Sequence, residues 1–371
     1  MIENVVMKVF IVVGTRPEAI KMAPLYKACI SDDMVDPYLI STGQHKEMLD
    51  QVFKWFGMQP DEDLAIMRPN QSLSMVLSSA VRGLDELIKE KKPDVVLAQG
   101  DTTTVMSAAL AAFHCEVPFG HVEAGLRTDD ITRPFPEEGY RQMVQRIARW
   151  NFAPTDRAMD VLAKENLSGK CYKVGNTVID ALLDTASKSH VLSIPLEREK
   201  MVLITGHRRE NHGDRFRDAF GAMAQLGSSF PNVDFVYPVH LNPNVKKMAH
   251  DMLSGVKNFH LIPPVSYPEI VALMKKAYII LTDSGGIQEE APSFKVPVLV
   301  MRDSTERQEG ISAGVSKLVG ADPAAIIREV SQLLTDPDIY NSMKRSENPF
   351  GDGNSAKRIV DILKQEVISA S

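Results

Sequence analysis

The sequence predicts an α/β protein built from two domains, each with a parallel β-sheet between layers of helices. Its 371 residues exceed the roughly 100–200 residues of one ordinary domain. Short runs rich in Val, Ile and Leu alternate with segments of helical periodicity, and these runs lack the polar alternation of half-exposed strands. The alternation occurs twice, which predicts two doubly wound domains facing each other across a cleft, with ligand sites at the carboxyl ends of the strands.

The expected strands are the most apolar of these runs. They are Lys8–Val13, Asp94–Ala98, Pro118–Val122, Met201–Thr205, Asp234–Pro238, Tyr278–Thr282 and Pro297–Met301. The clearest helix follows a capping residue, Ser72, and extends to Lys91, because Pro93 cannot continue it.

The two repeats of the pattern suggest where the domains divide. A first domain is expected over residues 1–175 and a second over residues 176–355, because the polar stretch 187–200 precedes a new strand at Met201. Residues 347–355 are rich in Asn, Gly, Asp and Pro and predict a loop. A final helical segment, residues 356–371, follows that loop.

Composition excludes several classes of protein. The net charge of −6 offers no basic surplus for nucleic acid. No run approaches the roughly 18 apolar residues of a membrane span, and the first residues lack the features of a signal peptide. Three widely separated cysteines indicate a reducing cytoplasm and not a disulfide framework. The histidines show no close ligand pattern, so no metal is expected.

The first chemical motif, residues 14–21, lies where the first strand ends. Gly14 permits a tight turn, and Pro17 suits the first turn of a helix. Arg16 and Lys21 place two cations near that helix start, where a diphosphate can bind. The alternative is an ordinary strand–helix turn with solvated charges.

Carboxylates follow two further strands of the first domain. Asp101 comes directly after a buried strand, and its spacing alone favours a helix cap over a catalytic role. Glu123 also ends a strand, and its small neighbour Gly125 leaves room for a ligand. Glu137 and Glu138 begin another helix, where the dipole favours negative charge whatever the function.

A glycine-rich turn opens a helix in the second domain. Ser284, Gly285 and Gly286 resemble an anion-binding nest, and Glu290 further along that helix can accept hydrogen bonds from ribose hydroxyls. No Walker sequence and no G-x-G-x-x-G occur, so ATP and NAD sites have no support.

Two histidines end strands of the second domain. His207 is followed by two arginines, so a structural and a catalytic role are equally supported. His240 occupies a similar position after a later strand.

These segments together resemble the non-hydrolysing UDP-N-acetylglucosamine 2-epimerases, in order and over nearly the whole chain. The strings are GTRPEAIKMAPL, TGQH, GDTTT, GHVEAGLRT, PFPEE, GNTVIDAL, TGHRRE, YPVHLNPNV, LTDSGGIQEEAP and VMRDSTER. The resemblance implies two Rossmann-like domains arranged as in GT-B glycosyltransferases, a homodimer, and a last helix that packs back on the first domain.

The resemblance also implies roles for individual residues. The implied catalytic residues are Asp101, Glu123, Glu137 and His207. The implied substrate-binding residues are Arg16, Lys21, Asp101, Glu123, His207, Val265, Ile270, Ser284, Gly285, Gly286, Glu290 and Arg307. A second site, through which UDP-N-acetylglucosamine activates bacterial members, maps to Gln44, His45, Arg68, Gln71, Glu137, Arg208, Arg209 and His240.

The sequence departs from the family pattern beside the uracil and near the activator site. Ile270 stands where Phe is common, which removes stacking on the base but keeps an apolar contact, and Val265 replaces a polar residue. Tyr140 and Gln308 are further departures, after PFPEE and TER. These changes bear on regulation and on fine substrate preference, not on the reaction class.

The implied reaction interconverts UDP-N-acetylglucosamine and UDP-N-acetylmannosamine through elimination of UDP to 2-acetamidoglucal and re-addition, which supplies surface polysaccharide synthesis. It needs no redox cofactor. Asp101 and Glu123 are expected to transfer the C2 proton, with Glu137 as a second acid/base or positioning group. The rival functions are a UDP-sugar-dependent glycosyltransferase, a hydrolysing epimerase and a non-catalytic nucleotide-sugar sensor.

Overall fold

The structure, a computed structural model, describes residues 6–44, 46–188, 190–192, 194–206, 214–344 and 347–367. It divides into two compact units. The first unit extends to Leu183 and continues from Gly351, and the second unit comprises Asp184–Phe350. Residues 176–183 and 351–355, assigned above to the second domain, therefore lie in the first unit.

The first unit contains a seven-stranded parallel sheet in the order β3-β2-β1-β4-β5-β6-β7. Its strands are β1 Met7–Val13, β2 Val35–Ser41, β3 Glu62–Asp63, β4 Val95–Gln99, β5 Phe119–Val122, β6 Trp150–Ala153 and β7 Lys170–Lys173. Every residue of β1 from Val9 to Val13 is fully buried, as expected for a central strand covered by helices on both faces.

In the described part of the first unit, eight helices cover this sheet or extend from it. They are α1 Arg16–Ile30, α2 Lys46–Phe56, α3 Leu73–Lys91, α4 Thr103–His114, α5 Glu137–Ile147, α6 Asp156–Lys164, α7 Thr177–Ser187 and α15 Ser355–Val367. The Ser72 side chain caps α3 by accepting from the Met75 amide, as the sequence predicts.

The last helix, α15, lies in the first unit and contacts α1. Lys364 bonds Asp32 at 2.7 Å. Glu366 accepts hydrogen bonds from Lys170, Tyr172 and Trp150. These bonds join α15 to β6, which contains Trp150, and to β7, which contains Lys170 and Tyr172.

The second unit contains a six-stranded parallel sheet in the order β10-β9-β8-β11-β12-β13. Its strands are β8 Lys200–Thr205, β9 Val233–Pro238, β10 Phe259–Ile262, β11 Ile279–Thr282, β12 Val298–Val300 and β13 Ser316–Leu318. Its helices are α8 Asp214–Ser229, α9 Pro243–Leu253, α10 Tyr267–Lys276, α11 Gly285–Glu290, α12 Gln308–Ser312, α13 Pro323–Thr335 and α14 Pro337–Ser342. The core includes Phe235 stacked on Phe259, with ring centroids 5.5 Å apart.

The predicted fold class is confirmed: both units alternate strand and helix around a parallel sheet. In each sheet the strand order reverses once, between β1 and β4 in the first unit and between β8 and β11 in the second. Ligands of such folds bind outside the carboxyl ends of the strands at that reversal. Among the described helices, none is both long and apolar enough to cross a membrane.

Candidate active site

The turn after β1 brings the first helix close to its neighbours. A Cβ atom on Gly14 would lie 2.0 Å from the Thr104 hydroxyl and 2.4 Å from that of Thr42, so only glycine fits here. Arg16 is half-buried at the start of α1. Lys21, one turn further along, bonds a carboxylate oxygen of Glu123 at 2.5 Å. The second proposed phosphate cation is therefore already in an ion pair.

Glu18 is a buried carboxylate in this turn that the sequence analysis missed. Its Oε2 accepts from the amides of Gly14 and Thr15 at 2.6 and 2.9 Å, and its Oε1 accepts from the Thr102 hydroxyl. Burial raises the pKa of its carboxyl group from 4.5 to about 7, against the effect of these hydrogen bonds. The available signal was the T-x-x-E spacing from Thr15, which is typical of a helix start.

The turn after β4 holds Asp101 away from the capping position. Thr102 caps α4 instead, with its hydroxyl accepting from the Val105 amide. The expectation from spacing that Asp101 would be the cap is therefore wrong. Gly100 has φ +91°, which turns the chain so that the Asp101 side chain reaches Arg141. Two guanidinium nitrogens of Arg141 donate to the same oxygen, Oδ2.

Arg141 joins Asp101 to a second, fully buried carboxylate. Its Nη1 donates to Glu138 at 2.8 Å, three residues earlier on α5. Glu138 also accepts from the Thr128 amide and the Gln142 side chain. Neither Arg141 nor this role of Glu138 was predictable from motif spacing, since Arg141 and Asp101 are 40 residues apart. Charge-assisted bonds of this kind fix geometry strongly.

Glu123 lies at the carboxyl end of β5 in an unusual backbone conformation. Its φ of +66° is left-handed, and its side chain accepts from Lys21 and, at 2.6 Å, from Gln99. Gly125, with φ +94°, lies so close to α6 that a Cβ would come within 2.4 Å of the Ala158 carbonyl oxygen. The loop is thus held against α6 beside the carboxylate.

His121 binds the main chain of the turn that precedes Asp101. It is fully buried, and its Nε2–H donates to the Gly100 carbonyl at 2.7 Å. Burial lowers the pKa of the imidazole from 6.5 to about 4, so the ring is neutral near pH 7. A neutral donor can hold this carbonyl without adding a charge next to Asp101.

Glu137 begins α5, the helix that carries Arg141. It is half-buried, and its Oε2 is buried without a hydrogen-bond partner among the described residues. The three proposed catalytic carboxylates lie on successive elements: Asp101 follows β4, Glu123 follows β5, and Glu137 begins α5, whose Arg141 bonds Asp101.

The proposed activator residues of the first unit belong to two places. Arg68 and Gln71 bond to each other in the loop before α3, with the Arg68 amide 2.5 Å from the Gln71 side-chain oxygen. The Gln44 side chain lies 3.3 Å from the Thr104 hydroxyl, next to the turn after β1. His45 lies outside the described residues.

In the second unit, the glycine turn after β11 packs against an arginine. Ser284 precedes α11, and a Cβ on Gly285 would lie 3.0–3.2 Å from three guanidinium atoms of Arg307. Arg307 is held by Glu289 at 2.9 Å and by Glu306 at 3.4 Å. The structure therefore brings Arg307 to the proposed anion-binding turn, with glycine allowing the approach.

Glu290 lies buried at the end of the same short helix. The Tyr267 hydroxyl, at the start of α10, donates to its Oε1 at 2.8 Å. A Cβ on Gly286 would be 3.8 Å from the other oxygen, Oε2. Val265 is half-buried just before α10 and Ile270 is half-buried within it. One proposed uracil contact and the anchor of the proposed ribose contact, Tyr267, therefore lie on the same helix.

Of the remaining proposed residues of the second unit, one is among the described residues and three are not. His240 is exposed after β9, and its Nδ1 accepts from the Asn242 amide at 3.1 Å. His207, Arg208 and Arg209 lie outside the described residues. Over the described part of the chain, no group of three or more His, Cys, Asp or Glu side chains is placed to hold a metal ion.

Known proteins match nearly the whole of this chain. A family model described as UDP-N-acetylglucosamine 2-epimerase matches residues 27–364. The UDP-N-acetylglucosamine 2-epimerase of Escherichia coli O157:H7 is 48% identical over 375 aligned residues, which cover 98% of this chain and 100% of the relative. The chain belongs to the UDP-N-acetylglucosamine 2-epimerase family.

Solved structures of the family share the fold. The Neisseria meningitidis UDP-GlcNAc 2-epimerase bound to UDP-GlcNAc is 45% identical with a TM-score of 0.88, covering 97% of this chain and 100% of that chain. The Methanocaldococcus jannaschii epimerase in complex with UDP-GlcNAc and UDP is 33% identical with a TM-score of 0.79, covering 96% and 99%. A glycosyltransferase of kitacinnamycin, 12% identical with a TM-score of 0.66, shares the fold alone.

Proposed function

We propose that this protein interconverts UDP-N-acetylglucosamine and UDP-N-acetylmannosamine by inverting the configuration at C2. The observation that carries the proposal is the full-length match, at 48% identity, to a relative named for this activity. The bound UDP-GlcNAc in the related Neisseria structure supports the substrate class. The carboxylates, arginines and lysine at the strand ends supply the groups that such a reaction needs.

The proposed reaction proceeds by elimination and re-addition. A carboxylate removes the C2 proton, the C1–oxygen bond breaks, and its electron pair leaves with the pyrophosphate of UDP as the C1=C2 bond forms. The product is 2-acetamidoglucal. In the second half, a proton adds to the opposite face of C2 and the pyrophosphate oxygen of UDP adds again to C1. No electrons are gained or lost overall, so no redox cofactor takes part.

The proposed UDP contacts are cationic or amide-rich. Arg16, Lys21, the glycine turn 284–286 and Arg307 are the residues proposed to stabilise the negative charge on departing UDP. Glu290 would accept from the ribose hydroxyls, with Tyr267 fixing its position. The proposed set also contains His207, Val265 and Ile270.

The proposed proton-transfer groups differ in how they are held. Both bonds from Arg141 reach Oδ2 of Asp101, and within the described residues Oδ1 takes no bond, so that oxygen is available to a substrate hydrogen. Glu123 is bonded to Lys21 and Gln99. We assign C2 proton transfer to Asp101 and Glu123, with Glu137 as a second acid/base or positioning group, because addition from the other face needs a second donor.

The test is proton NMR of the purified protein with UDP-N-acetylglucosamine in deuterium oxide. UDP-N-acetylmannosamine carrying deuterium at C2 is the expected product. Free UDP with N-acetylmannosamine would instead place the protein among hydrolysing epimerases. Asp101→Asn and Glu123→Gln are expected to lose turnover and solvent exchange, and full activity in both would refute their assignment.

We further propose a homodimer. Apolar side chains on α3 and α4 are exposed in the isolated chain, with Leu73 at 44%, Met75 at 54% and Phe113 at 58%. Exposed apolar groups on neighbouring helices are typical of subunit contacts. Light scattering after size-exclusion chromatography should give twice the mass of one chain, and a monomer at assay concentration would contradict this.

We also propose that a second molecule of UDP-N-acetylglucosamine activates the enzyme. We propose further that the enzyme works in the cytoplasm, where its product supplies surface polysaccharide synthesis. Two residues of the proposed second site, Arg68 and Gln71, bond each other in the loop before α3. All three cysteines are free, as expected in a reducing compartment. Sigmoidal dependence of rate on substrate, lost in Gln71→Ala, would support activation, and a hyperbolic wild-type curve would contradict it.

A further inference from the structure

Glu18 joins two turns of the first unit that carry proposed site residues. One of its oxygens accepts from both amides at Gly14 and Thr15, in the turn after β1. The other accepts from the hydroxyl of Thr102, in the turn after β4. A single carboxylate therefore links the segment that holds Arg16 to the segment that follows Asp101.

The two turns are also in direct contact. Gly14 is packed so closely on the first turn of α4 that a Cβ would overlap the Thr104 hydroxyl at 2.0 Å. Thr102 caps α4 and is the residue directly after Asp101. Moving the Glu18 carboxylate would therefore move the start of α4, and Asp101 with it.

The capping box of α1 explains the bond from the Thr15 amide to Glu18, but it does not explain the bonds from the Gly14 amide and the Thr102 hydroxyl. Glu18 is 2% exposed, and within the described residues its hydrogen-bond partners are two amides and a hydroxyl, with no cation. The charged group that faces it across the turn is Asp101, which has the same sign, while its own helix carries Arg16 and Lys21. Burying a carboxylate without a cation costs free energy that an uncharged side chain would not lose.

We propose that Glu18 is a positioning residue for the C2 epimerisation. Its ionised carboxylate accepts from both turns at once and so sets the distance between the cationic turn after β1 and the proposed base Asp101. Displacement of a reacting group by about 1 Å can lower a rate by two orders of magnitude. This inference rests on the proposed function, since it assigns Glu18 a part in that same reaction.

The decisive variant is Glu18→Gln, which keeps shape but replaces one acceptor oxygen by an amide donor. We expect kcat to fall about 10- to 100-fold while KM changes less than about threefold. The urea midpoint near pH 8 should be equal to or above the wild-type value, because a buried charge has been removed. Wild-type kcat should fall as pH drops through about 7, and the variant should lack this step.

Thr102 provides an independent check on the same link. Thr102→Val removes the hydroxyl and should lower kcat in the same way, whereas Thr102→Ser keeps the hydroxyl and should retain wild-type turnover. The double variant Glu18→Gln with Thr102→Val should lower kcat by less than the product of the two single effects, because both changes remove the bond between these two side chains.

Asp180→Asn is the matched control. Asp180 is also a buried carboxylate that accepts from a main-chain amide, that of Ala356 at 2.9 Å, but it holds the start of α15. We expect its variant to keep wild-type kcat even if its urea midpoint falls.

The outcomes separate this inference from the proposed function. If the wild type epimerises and Glu18→Gln turns over at the wild-type rate, the inference is overturned and the proposed function stands. If kcat falls only in proportion to a loss of folded protein, Glu18 serves stability alone and the inference is overturned. If the wild type does not epimerise, the proposed function fails and the inference fails with it.

Discussion

Two fully buried groups of the first unit should give its stability opposite dependences on pH. The folded-state pKa of Glu18 is raised to about 7 and that of His121 is lowered to about 4, both because of burial. The Glu18 contribution to stability is complete below its ordinary pKa of 4.5 and is lost as pH rises through 7. The His121 contribution is complete above its ordinary pKa of 6.5 and is lost as pH falls through 4.

Each effect can be given a magnitude. One pKa unit corresponds to about 1.4 kcal/mol, so either group should change the free energy of unfolding by about 3 kcal/mol across its range. In the wild type the two contributions oppose each other between about pH 4.5 and 6.5. Glu18→Gln removes one of them, and His121→Gln, whose amide nitrogen can still donate to Gly100, removes the other.

The difference in unfolding free energy between variant and wild type isolates each group, because all other titrating groups are shared. For Glu18→Gln it should become more positive by about 3 kcal/mol from pH 4.5 to 7. For His121→Gln it should become more negative by a similar amount from pH 4 to 6.5. Urea unfolding followed by tryptophan fluorescence reports the correct unit, since Trp55 and Trp150 are the only tryptophans and both lie there. A difference that does not vary with pH would contradict the shifted pKa values of both groups.

Three substitutions test other contacts of the site. In Arg141→Met the buried Glu138 carboxylate loses its guanidinium, so the free energy of unfolding measured in urea should fall by about 3–5 kcal/mol. Adding Glu138→Gln should restore most of this loss while turnover stays low, and a single variant as stable as the double variant would contradict this. Gly125→Ala adds a methyl group 2.4 Å from a main-chain oxygen, at a residue with φ +94°, and should lower the free energy of unfolding by about 2–3 kcal/mol. An unchanged free energy of unfolding would contradict the close contact. Tyr267→Phe removes a donor from the buried Glu290 and should raise the calorimetric Kd for UDP about 3- to 10-fold, whereas an unchanged Kd would separate Glu290 from UDP binding.

The sheets were predictable from sequence because their central strands are buried on both faces. The run that became β1 is apolar from Val9 to Val13, and burial on both sides requires such a run. The two edge strands of the first sheet have no comparable pattern in the sequence. β3 has only two residues, and β7 begins and ends with exposed lysines, so neither carries an apolar run.

The site was predictable only as a set of strand ends. Motif spacing placed Asp101, Glu123 and Glu137 beside the carboxyl edge, but it could not show what each carboxylate bonds. Arg141 reaches Asp101 across 40 residues of chain, and that contact depends on how α5 packs on the sheet. Such pairings are properties of the packed structure, so they do not appear in local sequence.

The partners found for the carboxylates bear directly on a reaction that must handle protons on both faces of C2. Asp101 faces a guanidinium that is itself held by Glu138. Glu123 faces Lys21, an ammonium that a diphosphate would also attract. If Lys21 turns toward phosphate, Glu123 loses a partner at the moment when substrate is bound, and its readiness to take a proton increases. The two proposed bases therefore differ in their cations: Asp101 has a guanidinium held by a second carboxylate, and Glu123 has an ammonium that a diphosphate can attract. This difference gives a physical reason for two unlike carboxylates where a single fixed base could not serve both faces.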